Sequence, residues 1–110
     1  MDSQTRRAYR SIAHHLKPVV LLGERGLTDA VIAEADRALS DHELIKIRVN
    51  GDREARAEQA TALAQALQAE QVQSIGHTLV LYRHNPKADP KLSNIARLGG
   101  ATTRSLRERR

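Results

Sequence analysis

The residues with the clearest chemical potential form a short turn, Gly23-Glu24-Arg25-Gly26. Apolar residues Val19 to Leu22 precede it and a helix is predicted from Thr28, so the turn joins a buried strand to a helix. Glycines at both corners let the backbone bend sharply and approach a ligand closely. The following helix presents free N–H groups and the positive end of its dipole, which predicts a phosphate-type anion site. Alone, a G-x-x-G turn is more often a simple tight connection.

Positive charges surround this turn in the sequence. Between residues 5 and 25 the chain has five Lys or Arg residues and one acid, Glu24, whereas the next helix has four acids and only Arg37. Residues 1–85 are neutral overall, with eleven cations and eleven acids, and the net charge of +5 comes from residues 86–110. A polarised domain with a basic end favours a polyanionic partner. A solvated surface with a solubilising tail is the alternative.

Catalytic and metal-binding motifs are missing from the sequence. There are five histidines and no cysteine, and the adjacent His14 and His15 point about 100° apart on a helix, so they are a poor metal pair. The segment His42-Glu43-Leu44-Ile45-Lys46 has lysine where a zinc protease would need its second histidine. We therefore predict no catalytic residue, metal or cofactor. A hydrolase would require a carboxylate and a histidine brought together in a cleft.

Aromatic residues are too few for recognition of bases by stacking on a sheet. Tyr9 and Tyr82 are the only two, and the core must be built from aliphatic residues. Binding of a nucleic acid would depend instead on backbone contacts, which give shape recognition with modest sequence preference. The candidate residues are those of the turn, Gly23, Glu24, Arg25 and Gly26, and the cations Arg7, Arg10, Lys17, Lys46 and Arg48.

The turn and the cations must be positioned by seven predicted elements. Apolar periodicity and capping residues predict helices over residues 4–16 (N-cap Ser3), 28–40 (N-cap Thr28) and 52–70 (N-cap Asp52), and strands over residues 19–22, 44–50, 72–75 and 78–83. The last two strands flank Gly76-His77, which is typical of a type II′ hairpin. The order α-β-α-β-α-β-β predicts an α/β chain of the α+β, two-layer kind, with one layer of helices on a four-stranded mixed sheet.

From Asn85 onward the pattern weakens. We predict one domain over residues 1–85 and a basic, disordered tail over residues 86–110, in which Leu92, Ile95, Ala96 and Leu98 could form a short helix on a partner. No apolar run is long enough to span a membrane, and residues near the N-terminus lack the apolar stretch that a secretion signal needs. We expect a cytoplasmic protein.

Three segments of the chain carry a family resemblance: Leu16 to Thr28, His42 to Ile47 and Ile75 to Arg83. Together they resemble the CRM domain, in particular its stand-alone bacterial form, the YhbY family of RNA-binding proteins, and the resemblance covers roughly residues 5–84. It implies a fold like the C-terminal domain of translation initiation factor three. It also implies a G-x-x-G loop that contacts RNA in the manner of KH domains. Multi-domain plant relatives act in the splicing of organellar introns.

The resemblance further implies an RNA partner, ribosomal RNA of the large subunit, and a role in pre-ribosomal particles during assembly, with neither a membrane nor a small-molecule substrate. A protein adaptor that reaches the ribosome through ribosomal proteins is the main alternative. Glu24 departs from what a phosphate-clamping loop would favour, because a carboxylate repels phosphate. A base contact and a structural role are both open for this residue.

Overall fold

The computed structural model describes residues 1–99 of the chain. Its elements are α1 (Ser3–Ala13), β1 (Pro18–Leu22), α2 (Asp29–His42), β2 (Leu44–Val49), α3 (Arg53–Leu67), β3 (Glu70–Ile75), β4 (Thr78–Tyr82) and α4 (Asn94–Leu98). The fold is α+β with a four-stranded mixed sheet, as predicted. Within the described residues, no helix has the length and apolar character needed to cross a membrane.

Local capping chemistry defines where the helices begin. The side chains of Thr28 and Asp52 accept hydrogen bonds from the N–H groups three residues ahead, at 3.1 and 2.8 Å, which confirms both predicted N-caps. At α1 the prediction of Ser3 is wrong, because the Asp2 carboxylate one residue earlier accepts the Thr5 N–H at 2.7 Å. The same helix ends at Ala13, three residues earlier than predicted.

The sheet has the strand order β1-β2-β4-β3. β1 and β2 are parallel and joined through α2, whereas β4 lies antiparallel to both of its neighbours. The β3–β4 connection is the predicted Gly76-His77 hairpin, in which Gly76 has the positive φ (54°) that the first position of a type II′ turn requires. The second β-α-β crossover therefore passes over β4, and β3 becomes an edge strand.

Helices cover both faces of the sheet, rather than the single face that we predicted. α2 and α3 pack on the face that carries Ile45, Ile47 and Val49. On the other face, Tyr9 and Ile12 of α1 pack against buried side chains of β2, β3 and β4: Leu44, Val72, Val80 and Tyr82. This second core forms because β2, β3 and β4 also carry apolar side chains on the face opposite α2 and α3, and the apolar stripe of α1 packs against them.

The first part of the segment predicted as a tail packs onto the domain. Helix α4 contacts α1 and β2, and Ser93, Asn94 and Ile95 are buried. The buried carboxylate of Glu43 accepts hydrogen bonds from Asn85 N–H at 2.8 Å and from Ser93 Oγ at 2.8 Å. Residues 93–95 are thus packed against the domain itself, and the short helix suggested for a partner contacts α1 and β2 instead. The remainder of the predicted tail, residues 100–110, lies outside the described residues.

Candidate nucleic-acid interface

The G-x-x-G turn has the tight geometry that the sequence predicts. Gly26 N–H donates to Gly23 O at 3.0 Å, which closes a four-residue turn directly after β1. Gly26 has a φ of 67°, a conformation that an L side chain adopts only with strain. Thr28 then caps α2, and its hydroxyl oxygen accepts a hydrogen bond from the N–H of Val31 in the first helical turn. Glycine at position 26 is therefore explained by the turn itself.

Gly23 has no comparable structural reason to be glycine. Its φ is outside the positive range, and a Cβ at this position would meet no atom within 4 Å. In the folded chain a side chain would fit there without strain. A bare backbone at Gly23 is useful where a bulky partner must approach the turn closely.

Three loops meet at the same end of the sheet as this turn. Asn50 N–H donates to Leu22 O at 3.0 Å, and Val49 N–H donates to the hairpin residue His77 at 2.8 Å. The G-x-x-G turn, the start of α3 and the β3–β4 hairpin are therefore neighbours. Arg53 and Arg56 of α3 lie beside the hairpin at a shallow surface depression. Neither arginine is among the residues predicted from the sequence, because no local pattern indicates that the start of α3 lies beside the hairpin.

The basic residues of α1 face a groove between the helix and the sheet. Arg7, Arg10 and His14 line this groove together with Lys46 of β2. Arg48 is two residues farther along the same strand and pairs with Thr78, which also lines the groove. β2 thus connects the groove to the end of the sheet that carries the G-x-x-G turn.

Lys17 and Arg25 lie at opposite ends of β1. Because Pro18 pairs with Lys46, Lys17 adjoins the start of the strand, whereas Arg25 belongs to the turn at its far end. Extended chain between them covers about 20 Å. The predicted site is therefore a surface along β1 and β2 with one face of α1, and not a single pocket.

Arginines of the described chain divide into engaged and unengaged groups. Four donate hydrogen bonds to the fold: Arg6 to Gln71 O at 2.6 Å, Arg56 to Gly51 O at 2.7 Å, Arg83 to Asp36 Oδ1 at 2.8 Å and Arg97 to Asn94 Oδ1 at 2.9 Å. The six cations selected from the sequence make no side-chain hydrogen bond or ion pair with any residue from 1 to 99: Arg7, Arg10, Lys17, Arg25, Lys46 and Arg48. Arg37, on the acidic helix α2, and Arg53, at the start of α3, are also unengaged within the described residues. The six cations are available to an external anion.

Glu24 is exposed and has no ion pair with the described cations, Arg25 included. Its carboxylate is therefore not neutralised by the fold. An anion that approaches this turn therefore meets an uncompensated negative charge at Glu24.

A carboxylate and a histidine do meet in the structure, but not in the arrangement of a hydrolase. His84 Nδ1 lies 3.1 Å from Glu43 Oε2, and Ser93 Oγ donates to the other oxygen of the same carboxylate. The carboxylate stands between the serine and the histidine, so the histidine is not placed as a base for the hydroxyl. Within residues 1–99, no three His, Asp or Glu side chains gather as metal ligands would. Glu43 instead holds the segment after β4 to the end of α2.

Comparison with known proteins agrees with the fold. The family model for the CRS1 / YhbY (CRM) domain matches residues 1–83. A Pseudomonas aeruginosa protein named a probable RNA-binding protein is 43% identical over 101 residues, which are 91% of this chain and 97% of the relative. A Haemophilus influenzae protein named an RNA-binding protein is 45% identical over 93 residues, which are 84% of this chain and 94% of the relative.

A solved structure is also similar. It is the solution structure of a Staphylococcus aureus protein described as a candidate RNA-binding protein, with a TM-score of 0.71 and 31% sequence identity. The match covers 81% of this chain and 94% of the other.

Proposed function

The chain belongs to the CRS1 / YhbY (CRM) domain family, and we propose that it binds RNA through the surface that joins the G-x-x-G turn, β2 and α1. One observation carries this proposal. Six cations selected from the sequence lack any partner among residues 1–99, and four of them, Arg7, Arg10, Lys46 and Arg48, belong to α1 and the face of β2 beneath it. The names of the relatives support the same ligand class.

Unengaged cations on one surface suit a phosphate backbone for a physical reason. An arginine already bonded to a carbonyl or carboxylate must lose that bond before it can contact phosphate, whereas Arg7 and Arg10 need lose only water and counterions. Release of condensed counterions then contributes much of the binding free energy. The engaged arginines, Arg6 and Arg83 among them, serve the fold.

The RNA in this proposal is ribosomal RNA within precursors of the large subunit, and the protein assists assembly in the cytoplasm. The resemblance to the YhbY family is what supports this finer assignment. Structured ribosomal RNA suits contacts that recognise backbone and shape, since Tyr9 and Tyr82 are both buried and cannot stack on bases.

Salt dependence of binding tests the backbone contacts. If about five phosphates of single-stranded RNA are neutralised, log K falls with log salt at a slope of about −3.5. Arg10→Gln should weaken binding and reduce the steepness of that slope by about 0.7. Arg37→Gln makes the same charge change on α2, on the other side of the sheet, and should leave both quantities unchanged. A slope near zero for the wild-type protein would contradict backbone binding.

The ribosomal assignment has its own test. Ribonuclease treatment of isolated pre-ribosomal particles that carry the protein should release it. Retention on the particle after complete digestion would favour the adaptor alternative, in which ribosomal proteins hold it. Sequencing of RNA crosslinked to the protein should return segments of large-subunit ribosomal RNA.

A further inference from the structure

The groove beside α1 is a feature that backbone binding does not explain. The helix covers Leu44, Val80 and Tyr82 but stops short of the rest of the same sheet face. Beyond it, Leu21 and Ile75 remain 54% and 63% exposed. The helix and the open sheet form the two sides of a cavity of about 540 Å³. Its lining consists of Arg7, Arg10, Ser11, Ala13, His14, Lys46, Gln73, Ile75 and Thr78.

The lining combines three kinds of chemistry in one place. Cationic groups come from α1 and β2, apolar surface comes from Ala13 and Ile75, and hydrogen-bonding groups come from Gln73 of β3 and Thr78 of β4. Within residues 1–99, the amide of Gln73 and the hydroxyl of Thr78 make no side-chain hydrogen bond. A cavity of several hundred Å³ with an apolar part and a few convergent polar groups is typical of a small-ligand site. The lining contains no acid, so the ligand it suits is anionic or carries an adjacent anion.

A nucleotide of single-stranded RNA fits this combination. An unstacked base can enter the angle between helix and sheet, while the phosphates on either side of it stay with Arg7, Arg10 and Lys46. Unstacked bases are commonly held against histidine rings or guanidinium planes and recognised by hydrogen bonds at their edges. The exposed His14 ring and the two arginines can supply the first contact, and Gln73 and Thr78 the second. A paired base in an A-form helix cannot reach a recess of this kind, because its edge is turned into the duplex.

We propose that this groove is a nucleotide site that accepts one unpaired base of RNA, with Gln73 and Thr78 at the base edge and His14 against its face. The site rests on the RNA binding proposed above and adds a preference for single-stranded or bulged RNA. This site gives a role in contacting the base to three residues that the pattern of charges does not single out: His14, Gln73 and Thr78.

The test uses the full chain and two fluorescently labelled RNAs, a single-stranded 12-mer of mixed sequence and the same 12-mer fully paired. Thr78→Val keeps the β-branched shape at a half-buried strand position and removes only the hydroxyl, and Gln73→Ala removes the amide. Each variant should bind the single strand about 3- to 10-fold more weakly, the effect of one lost hydrogen bond. Binding to the duplex, and the salt slope for both RNAs, should not change, since no charge is altered.

Matched controls come from the exposed surface of α3, on the other side of the sheet. Thr61→Val and Gln65→Ala make the same chemical changes there and should bind both RNAs as the wild type does. Circular dichroism confirms that each variant is folded at the assay temperature. If a folded Gln73→Ala or Thr78→Val protein binds the single strand as tightly as the wild type, the nucleotide site is refuted while RNA binding stands. If the wild type binds neither RNA, the proposed function fails and the nucleotide site fails with it.

Discussion

The two glycines of the G-x-x-G turn should respond in opposite ways to the same substitution. At Gly23 the φ suits an L residue and a new Cβ has open space around it. Gly23→Ala should therefore keep or raise the free energy of unfolding, by about 0.4–1 kcal/mol, because alanine reduces the conformational entropy of the unfolded chain. RNA binding should nevertheless weaken, since the new methyl group lies where a phosphate would approach the backbone.

At Gly26 the same substitution should instead lower the free energy of unfolding. The φ of 67° places an alanine in the left-handed region, where it costs about 1–2 kcal/mol, and the unfolded-chain gain offsets part of this. Gly26→Ala should thus lose about 1 kcal/mol, which for a domain of this size lowers Tm by about 5 °C. The Cβ would lie 3.8 Å from Gln59 Nε2, an ordinary contact, so strain in the backbone is the main cause.

Thermal melts followed by circular dichroism measure the stability of both variants, and fluorescence anisotropy with a labelled single-stranded RNA measures Kd. We expect Gly23→Ala to melt at or above the wild-type Tm and to bind at least about 10-fold more weakly, the effect of one lost charge-assisted hydrogen bond. Gly23→Val should weaken binding further. A wild-type Kd for Gly23→Ala, or a loss of stability as large as that of Gly26→Ala, would refute this role for Gly23.

Two further substitutions concern carboxylates with opposite roles. Glu24→Gln should tighten RNA binding about threefold at low salt, because it removes an exposed negative charge near the bound phosphates, and the gain should fade as salt rises. Glu34→Gln on α2 is the control. Weaker binding by Glu24→Gln in the anisotropy assay would instead indicate a direct contact of Glu24 with RNA. Glu43→Ala should lower the free energy of unfolding by about 3 kcal/mol, because it leaves the Asn85 N–H and the Ser93 hydroxyl without their acceptor. Differential scanning calorimetry should show a large fall in Tm for Glu43→Ala. The control Glu58→Ala, at an exposed position of α3, should leave Tm unchanged. An unchanged Tm for Glu43→Ala would contradict the anchoring role of the buried carboxylate.

Local patterns were sufficient for seven of the eight elements and for the class of fold. Thr28 and Asp52 cap their helices as predicted because capping depends on a side chain and an N–H group three residues away. Apolar periodicity predicted the strand over residues 44–50, which the structure has as Leu44–Val49, and Gly76-His77 indicated the hairpin. Ser3 failed as an N-cap because two adjacent residues could both cap, and only the geometry of α1 favoured Asp2.

Contacts between residues that are far apart in the sequence could not be predicted from local patterns. The sequence of α1 alone could not show that this helix covers the second face of the sheet. An apolar stripe indicates that one side of a helix is buried, but not which surface it packs against. Residues 86–99 are predicted as part of a tail because they are polar and contain two prolines, yet Ser93 is held to the domain by the carboxylate of Glu43, 50 positions earlier. The separation of engaged from unengaged arginines likewise depends on carbonyl and carboxylate groups that are distant in sequence.

The sequence by itself determined the order of the elements, the G-x-x-G turn and the identity of the basic residues, because these follow from neighbours within a few positions of one another. Only the tertiary structure decided which glycine the turn itself requires, which cations remain available, and that α1 leaves a groove beside Gln73 and Thr78. Each of these depends on the register of the strands and on how α1 packs across them, and residues far apart in the chain set both.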